Sequence, residues 1–258
     1  MFIRSVFAMS FVGLFVVSLA GAPQAPAPAE NWRAIAARVD AAALADDAPG
    51  LKQGRADLLR VLSAAPAGSD ATMTRYAIAY AGWRLSTSPA TPSKERDALL
   101  DDAEAQLKAA LKTQPTSAEA LALLSSVYGL MIANSPLRGI TLGSRSSGAI
   151  EDALRLEPNN PRVVLCRGVG KFNTPGMFGG SVKEAETQLR RAIELFDATP
   201  GEAPFPNWGR FDAHVWLGQV LAKRGDKTGA RAEYDKALAV APQSGWVRYV
   251  LLPALDKK

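Results

Sequence analysis

The chain has one cysteine and one histidine in 258 residues. A lone cysteine, Cys166, excludes an intrachain disulfide, so stability must come from packing. A buried small hydrophobe is the expected role for it. A lone histidine, His214, leaves no spare parts for a His-based metal site or a Ser-His-Asp relay. Aromatic residues make up 7% of the chain, and they are not interleaved with a basic stripe, which excludes a nucleic-acid partner. The formal charge is +5, a mild excess that lies in the C-terminal part: residues 1–158 carry 15 basic against 15 acidic side chains, residues 159–258 carry 15 against 10. Beyond the first twenty residues no long apolar run occurs, so no stable membrane span is expected after the leader.

That leader is the stretch MFIRSVFAMSFVGLFVVSLAGA. Arg4 is followed by an apolar run from Val6 to Ala20 and then by small residues, the order of a Sec-type signal peptide. Cleavage after Ala20 leaves Ser18 and Ala20 at the recognition positions, and Ala27 and Ala29 allow a cut as late as residue 29. No cysteine lies near the cleavage zone, which excludes a lipoprotein modification. Residues 21–30 read as a Pro/Ala spacer, and the expected location is periplasmic or secreted. The rest is a chain able to bury a core, with 48% hydrophobic residues and a mean hydropathy of −0.01.

The organisation shows best in WLGQVLAKRGDKTGARAEYDKALAVAP, residues 216–242. Apolar or small side chains recur at helical spacing on both sides of Gly225-Asp226, and Pro242 stops the second run. This resembles the tetratricopeptide repeat (TPR), a 34-residue helix-turn-helix unit. With Pro242 at repeat position 32, Leu217, Gly218, Leu221, Ala230, Tyr234 and Ala237 fall at 7, 8, 11, 20, 24 and 27 and match the family's residue types. His214 at position 4 departs from it. Small side chains at 8 and 20 let two helices cross closely; larger ones would cost about 1–3 kcal/mol. Weaker echoes end at Pro66, Pro115, Pro158 and Asp197, at spacings that exceed the 34-residue period by insertions of 15, 9, 5 and 11 residues. STSPATPS, NSPLRGITLGSRS and FNTPGMFGGS are expected as loops between paired helices, TPGEAPFPNWG as a loop between units. The expected fold is therefore all-α: a right-handed TPR-type superhelical solenoid of antiparallel helix pairs with enlarged loops. Four to five repeats span residues 31–245, and a capping segment spans 246–258.

Chemistry of the catalytic kind is scarce. Asp101, Asp102 and Glu104 are expected to open a helix, where carboxylates favour the N-terminal dipole. FNTPGMFGGS lacks the Lys-Ser/Thr of a P-loop. No catalytic residue, metal site or cofactor is expected. The resemblance instead implies a binding groove on the concave face, at repeat positions 2, 5, 6, 9, 12 and 13 of each first helix. Carried over, it marks Tyr80, Leu123, Ser126, Arg162, Leu165, Phe172, Trp216, Gln219 and Lys223, with Arg162 or Lys223 orienting an anionic group. The Lys and Asn of a carboxylate clamp are missing. Met177 and Phe178 are too apolar for an idle loop. They are expected to fold back onto the edge of the solenoid or to grip a ligand, and the loop is similar to Pro…Gly-Gly loops of exported TPR proteins linked to solute capture. The expected function is a non-catalytic protein-binding or assembly module of the cell envelope with a protein or peptide partner. The alternative is an accessory of a solute-uptake system that holds a small apolar or anionic ligand.

Overall fold

The computed structural model describes residues 31–64, 68–198 and 205–256. The leader, the spacer, residues 65–67 with Pro66, residues 199–204 of the fourth insertion and the last two residues lie outside them. Among the described residues there are eleven α-helices and no strand. They are α1 (Trp32–Leu44), α2 (Ala48–Ser63), α3 (Gly68–Thr87), α4 (Ser93–Thr113), α5 (Ala118–Asn134), α6 (Gly139–Leu156), α7 (Pro161–Asn173), α8 (Val182–Asp197), α9 (Arg210–Lys223), α10 (Lys227–Val240) and α11 (Leu252–Asp256).

Local sequence sets many of the starts. Asn31, Asp47, Ser117, Asn160, Ser181 and Asp226 each cap a helix, their side-chain oxygens accepting from backbone N–H groups two or three residues on. Consecutive helices pair as α1–α2, α3–α4, α5–α6, α7–α8 and α9–α10, and each pair packs on the next. Short connections make the partners antiparallel. One crossing rule recurs. A Cβ on Gly218 would stand 2.3 Å from the Tyr234 ring, one on Gly168 2.9 Å from Leu189, and one on Gly82 3.3 Å from the Leu99 carbonyl. In α5–α6 the small residue is Ser125, whose hydroxyl bonds the Ser146 backbone oxygen at 2.9 Å. The fold is an all-α solenoid of the TPR type.

Two of the four insertions behave differently from the expected loops. STSPATPS shrinks to five residues between α3 and α4, which have grown to 20 and 21 residues. NSPLRGITLGSRS becomes one turn at Pro136–Arg138 and then the first half of α6. Packing overrides propensity there: Leu142 is buried, and Ser146 bonds back to Ser125, so a glycine-rich segment is held helical. A consequence is that Asp101, Asp102 and Glu104 lie two turns inside α4 rather than at its start. Arg138, Arg55 and Lys108 neutralise them in turn.

The end of the chain comes back to its beginning. The Ser244 hydroxyl and the Trp246 backbone N–H both donate to Asp46, in the turn between α1 and α2, at 3.3 and 3.2 Å. A π-helical turn at Val247–Leu251 and α11 bury Val247 and Leu255, while Trp246, Tyr249 and Val250 stay exposed.

Candidate binding surface

Helices α1, α3, α5, α7 and α9 are the first members of their pairs and run parallel to one another, so their inward residues form one wall. Its N-terminal half is closed by the chain itself. Residues Phe205–Gly209, the end of the fourth insertion, turn into the concavity. Trp208 stacks on Tyr80 with ring centroids 5.4 Å apart, and its indole N–H donates to the Tyr76 hydroxyl at 2.9 Å. Phe205 meets Trp32 and Tyr76 edge-on at 6.0 and 5.7 Å. Gly209, at φ +117°, slips between Phe196, Arg162 and Leu165; a Cβ there would stand 2.6 Å from the Phe196 ring.

A buried polar network underlies these rings. Arg84 donates to Asp212 at 2.7 Å, across 128 residues of sequence. Burial pulls its pKa down, but Asp212 outweighs that and holds the guanidinium above its ordinary value. Glu119 accepts from Arg162 at 2.7 Å, from Asn160 at 2.8 Å and from the Tyr76 hydroxyl at 3.4 Å. Asp40 lies beside Tyr80 and the Asn207 backbone, and its Oδ1 is buried without a hydrogen-bond partner. Burial pushes its carboxyl up to about 7, against the pull of Arg84 and Arg162. Burial likewise raises both tyrosines well above their usual range.

The C-terminal half of the wall is open. Ser126, Leu130, Val169, Phe172, Trp216 and Gln219 are half-buried, and Lys223 is exposed. Phe172 and Trp216 meet edge-on at 6.0 Å, and the Lys223 ammonium stands 5.0 Å from the Phe172 ring centre. The Gln219 amide nitrogen is buried and has no hydrogen-bond partner.

The sequence-marked residues therefore divide. Ser126, Phe172, Trp216, Gln219 and Lys223 line the open half. Tyr80, Leu123 and Leu165 are buried and closed to a ligand while Phe205–Gly209 is in place. Arg162 is taken up by Glu119, with a side chain only 14% exposed, so it does not offer its charge to an anion. Met177 and Phe178 do not fold back. The Ser181 N–H bonds the Lys171 carbonyl and Gly180 packs against the Thr174 carbonyl, so the loop closes on its own backbone and both side chains point outward. Sequence reasoning missed Phe205 and Trp208, two aromatics in a segment read as a loop between units; they are the loop aromatics that seek cover. It missed Asp40, Arg84, Glu119 and Asp212 too, whose partners lie far off in sequence.

His214 is buried against Glu233, its Nδ1 2.7 Å from the carboxylate, and Cys166 is buried with its thiol pushed up to about 12. Among the described residues no group of three His, Cys, Asp or Glu side chains could hold a metal ion, and no helix is long and apolar enough to cross a membrane.

Residues 211–244 match the family model for the tetratricopeptide repeat. The match begins at the residue that the Pro242 register numbers as first. No curated protein matches the sequence. Among solved structures the chain is similar to the HusA haemophore from Porphyromonas gingivalis, with 25% identity, a TM-score of 0.63, and 78% of this chain and 96% of that one covered. It is also similar to a thermophilic TPR protein of Thermus thermophilus, TTC0263, at 19% identity, TM-score 0.62, with 88% and 98% covered. TPR folds are protein-interaction or scaffold modules, and they are generally non-catalytic. One repeat legible in sequence, and helix pairs stacked throughout in the same architecture, make this chain a TPR-type protein.

Proposed function

We propose that the chain is a non-catalytic interaction module of the cell envelope that takes a polypeptide partner on the open half of its inner wall. One observation carries this reading: Phe172 and Trp216 form an edge-on aromatic pair, half open to solvent, with Lys223 over it and an unpartnered Gln219 amide beside it on α9. An aromatic anchor with a nearby donor and cation suits an apolar or aromatic segment that carries an acceptor or an acidic group. The envelope location rests on the leader alone. The test is a photo-crosslinking residue at Trp216, with Phe172→Ala as the competing variant, in the native envelope. A discrete protein adduct that Phe172→Ala abolishes supports the reading. An adduct pattern the same as that from the exposed turn residue Thr116 overturns it.

A second reading is favoured by the likeness to a haemophore. Here the aromatic pair takes a flat apolar ligand, and Lys223 meets its carboxylates. His214 is held by Glu233 and offers no free imidazole, so apolar contact would dominate. Titration with haem separates the readings. A saturable shift of the haem absorbance band that Phe172→Ala and Trp216→Ala abolish favours the ligand; an unshifted band removes it.

A further inference from the structure

A different surface stands at one edge of the solenoid. Since α5, α7 and α9 run parallel, their C-terminal ends and the turns that follow share this edge. Four large apolar side chains project from it: Leu137 and Ile140 after α5, 81% and 85% exposed, and Met177 and Phe178 after α7, 85% and 71% exposed. Isolated exposed apolar residues are ordinary, but a row of them at one edge of successive units is not. They do not form a pocket. Leu137 stands in the turn before α6 and Ile140 in the first turn of that helix, while Met177 and Phe178 stand in the turn before α8, all of them directed away from the core.

The charge around them is mainly basic. Residues 135–145, 171–184 and 223–227 carry seven basic side chains and two acidic ones, although the chain up to residue 158 is balanced. Arg138, Lys171 and Arg224 pair with Asp101, Glu184 and Glu186. Arg145, Lys183 and Lys223 are exposed and have no carboxylate partner among the described residues. They supply one cation without an ion-pair contact in each of three successive units: Arg145 within two turns of the edge on α6, Lys183 in the first turn of α8, and Lys223, over the Phe172 ring, in the last turn of α9.

We propose that this edge docks on an anionic lipid surface, with Leu137, Ile140, Met177 and Phe178 entering the boundary between headgroups and acyl chains and the basic residues meeting the phosphates. Protruding apolar tips ringed by cations suit a fluid interface, which receives separate side chains without a preformed pocket. A protein partner would offer hot spots clustered in one desolvated patch. Peripheral binding of this kind adds apolar insertion to electrostatic attraction. It needs no spanning helix, and none occurs among the described residues.

The experiment places a fluorophore that brightens in apolar surroundings on the full chain at Phe178→Cys, and in a second protein at Thr116→Cys, on the opposite edge. Cys166 is buried and does not compete for the label. Vesicles are phosphatidylcholine alone or phosphatidylcholine with an equal part of phosphatidylglycerol. The expected result is a several-fold rise in emission and protection from aqueous iodide at position 178, only with phosphatidylglycerol, and no change at position 116. Each of Lys183→Gln and Arg145→Gln should weaken vesicle affinity by roughly fivefold, and Met177→Ser should weaken it further. A label at 178 that stays open to iodide on anionic vesicles overturns the proposal, even where the leader anchors the chain. So does equal protection at 116, or protection at 178 by a protein partner without vesicles. None of these substitutions touches Phe172 or Trp216, so a failure here leaves the inner-wall reading standing.

Discussion

The two halves of the inner wall are built on the same helices and face the same way, yet one is core and the other is surface. In the closed half, Tyr80 is buried under Trp208, and Leu123, Leu165 and Asp212 are buried as well. In the open half, Ser126, Phe172 and Gln219 keep part of their surface in water. The difference comes from one insertion of a few residues that carries its own aromatics into the concavity. A repeat groove is thus not a fixed property of the repeat; it is what the insertions leave uncovered.

The sharpest way to break this comparison is to remove the plug. Trp208→Ala should cost about 3–5 kcal/mol in urea unfolding, because it takes away the ring on Tyr80 and the donor to the Tyr76 hydroxyl. Phe172→Ala in the open half should cost about 1 kcal/mol, in line with partial burial. Equal costs would make the open half structural core.

Acidity sharpens the same contrast. The Asp40 carboxyl, ordinarily near 3.8, sits at about 7 in the folded chain. The unfolded chain therefore gives up this proton first as pH rises. Stability from this group is full below about pH 4 and falls progressively up to about pH 7, by about 4 kcal/mol. Burial drives the effect, and Arg84, Arg162, Asp212 and Tyr80 are the charged and titratable groups facing it. Asp40→Asn should remove that decline, seen as the difference between variant and parent unfolding at pH 4.5 and pH 7.5. Parallel curves would place Asp40 in water.

Smaller effects test the crossings. Gly218→Ala, which drives a Cβ against the enclosed Tyr234 ring, should lower stability by about 1–3 kcal/mol. Gly129→Ala, in an exposed helical position with open space around it, should raise it by about 1 kcal/mol. Finally, Cys166 should resist alkylation at pH 8 until urea unfolds the chain, because burial holds its thiol at about 12. Fast reaction in the native state would mean that the wall between α5 and α7 is open there.

Repeat spacing made the last pair readable: Gly218, Ala230, Tyr234 and Pro242 each do locally what their positions imply. The middle pairs were readable as helices, but not their lengths. Leu142 and Ser146 gain their helical state from α5, a partner that local propensity does not include. The loops were read with the right rule and the wrong assignment. Both Met177-Phe178 and Phe205-Trp208 are apolar for connecting segments, but only the second has an aromatic-lined concavity within reach.

Side-chain size and helical spacing are local quantities, so they were enough to specify paired helices, their caps and the tight crossings at Gly218 and Ser125. Which part of the concave face meets solvent depends on contacts such as Arg84 with Asp212 and Ser244 with Asp46, 128 and 198 residues apart. Those contacts form only when the stack has wound far enough to bring its last pair and the segment after it against its first two pairs, and no window of neighbouring residues encodes that curvature.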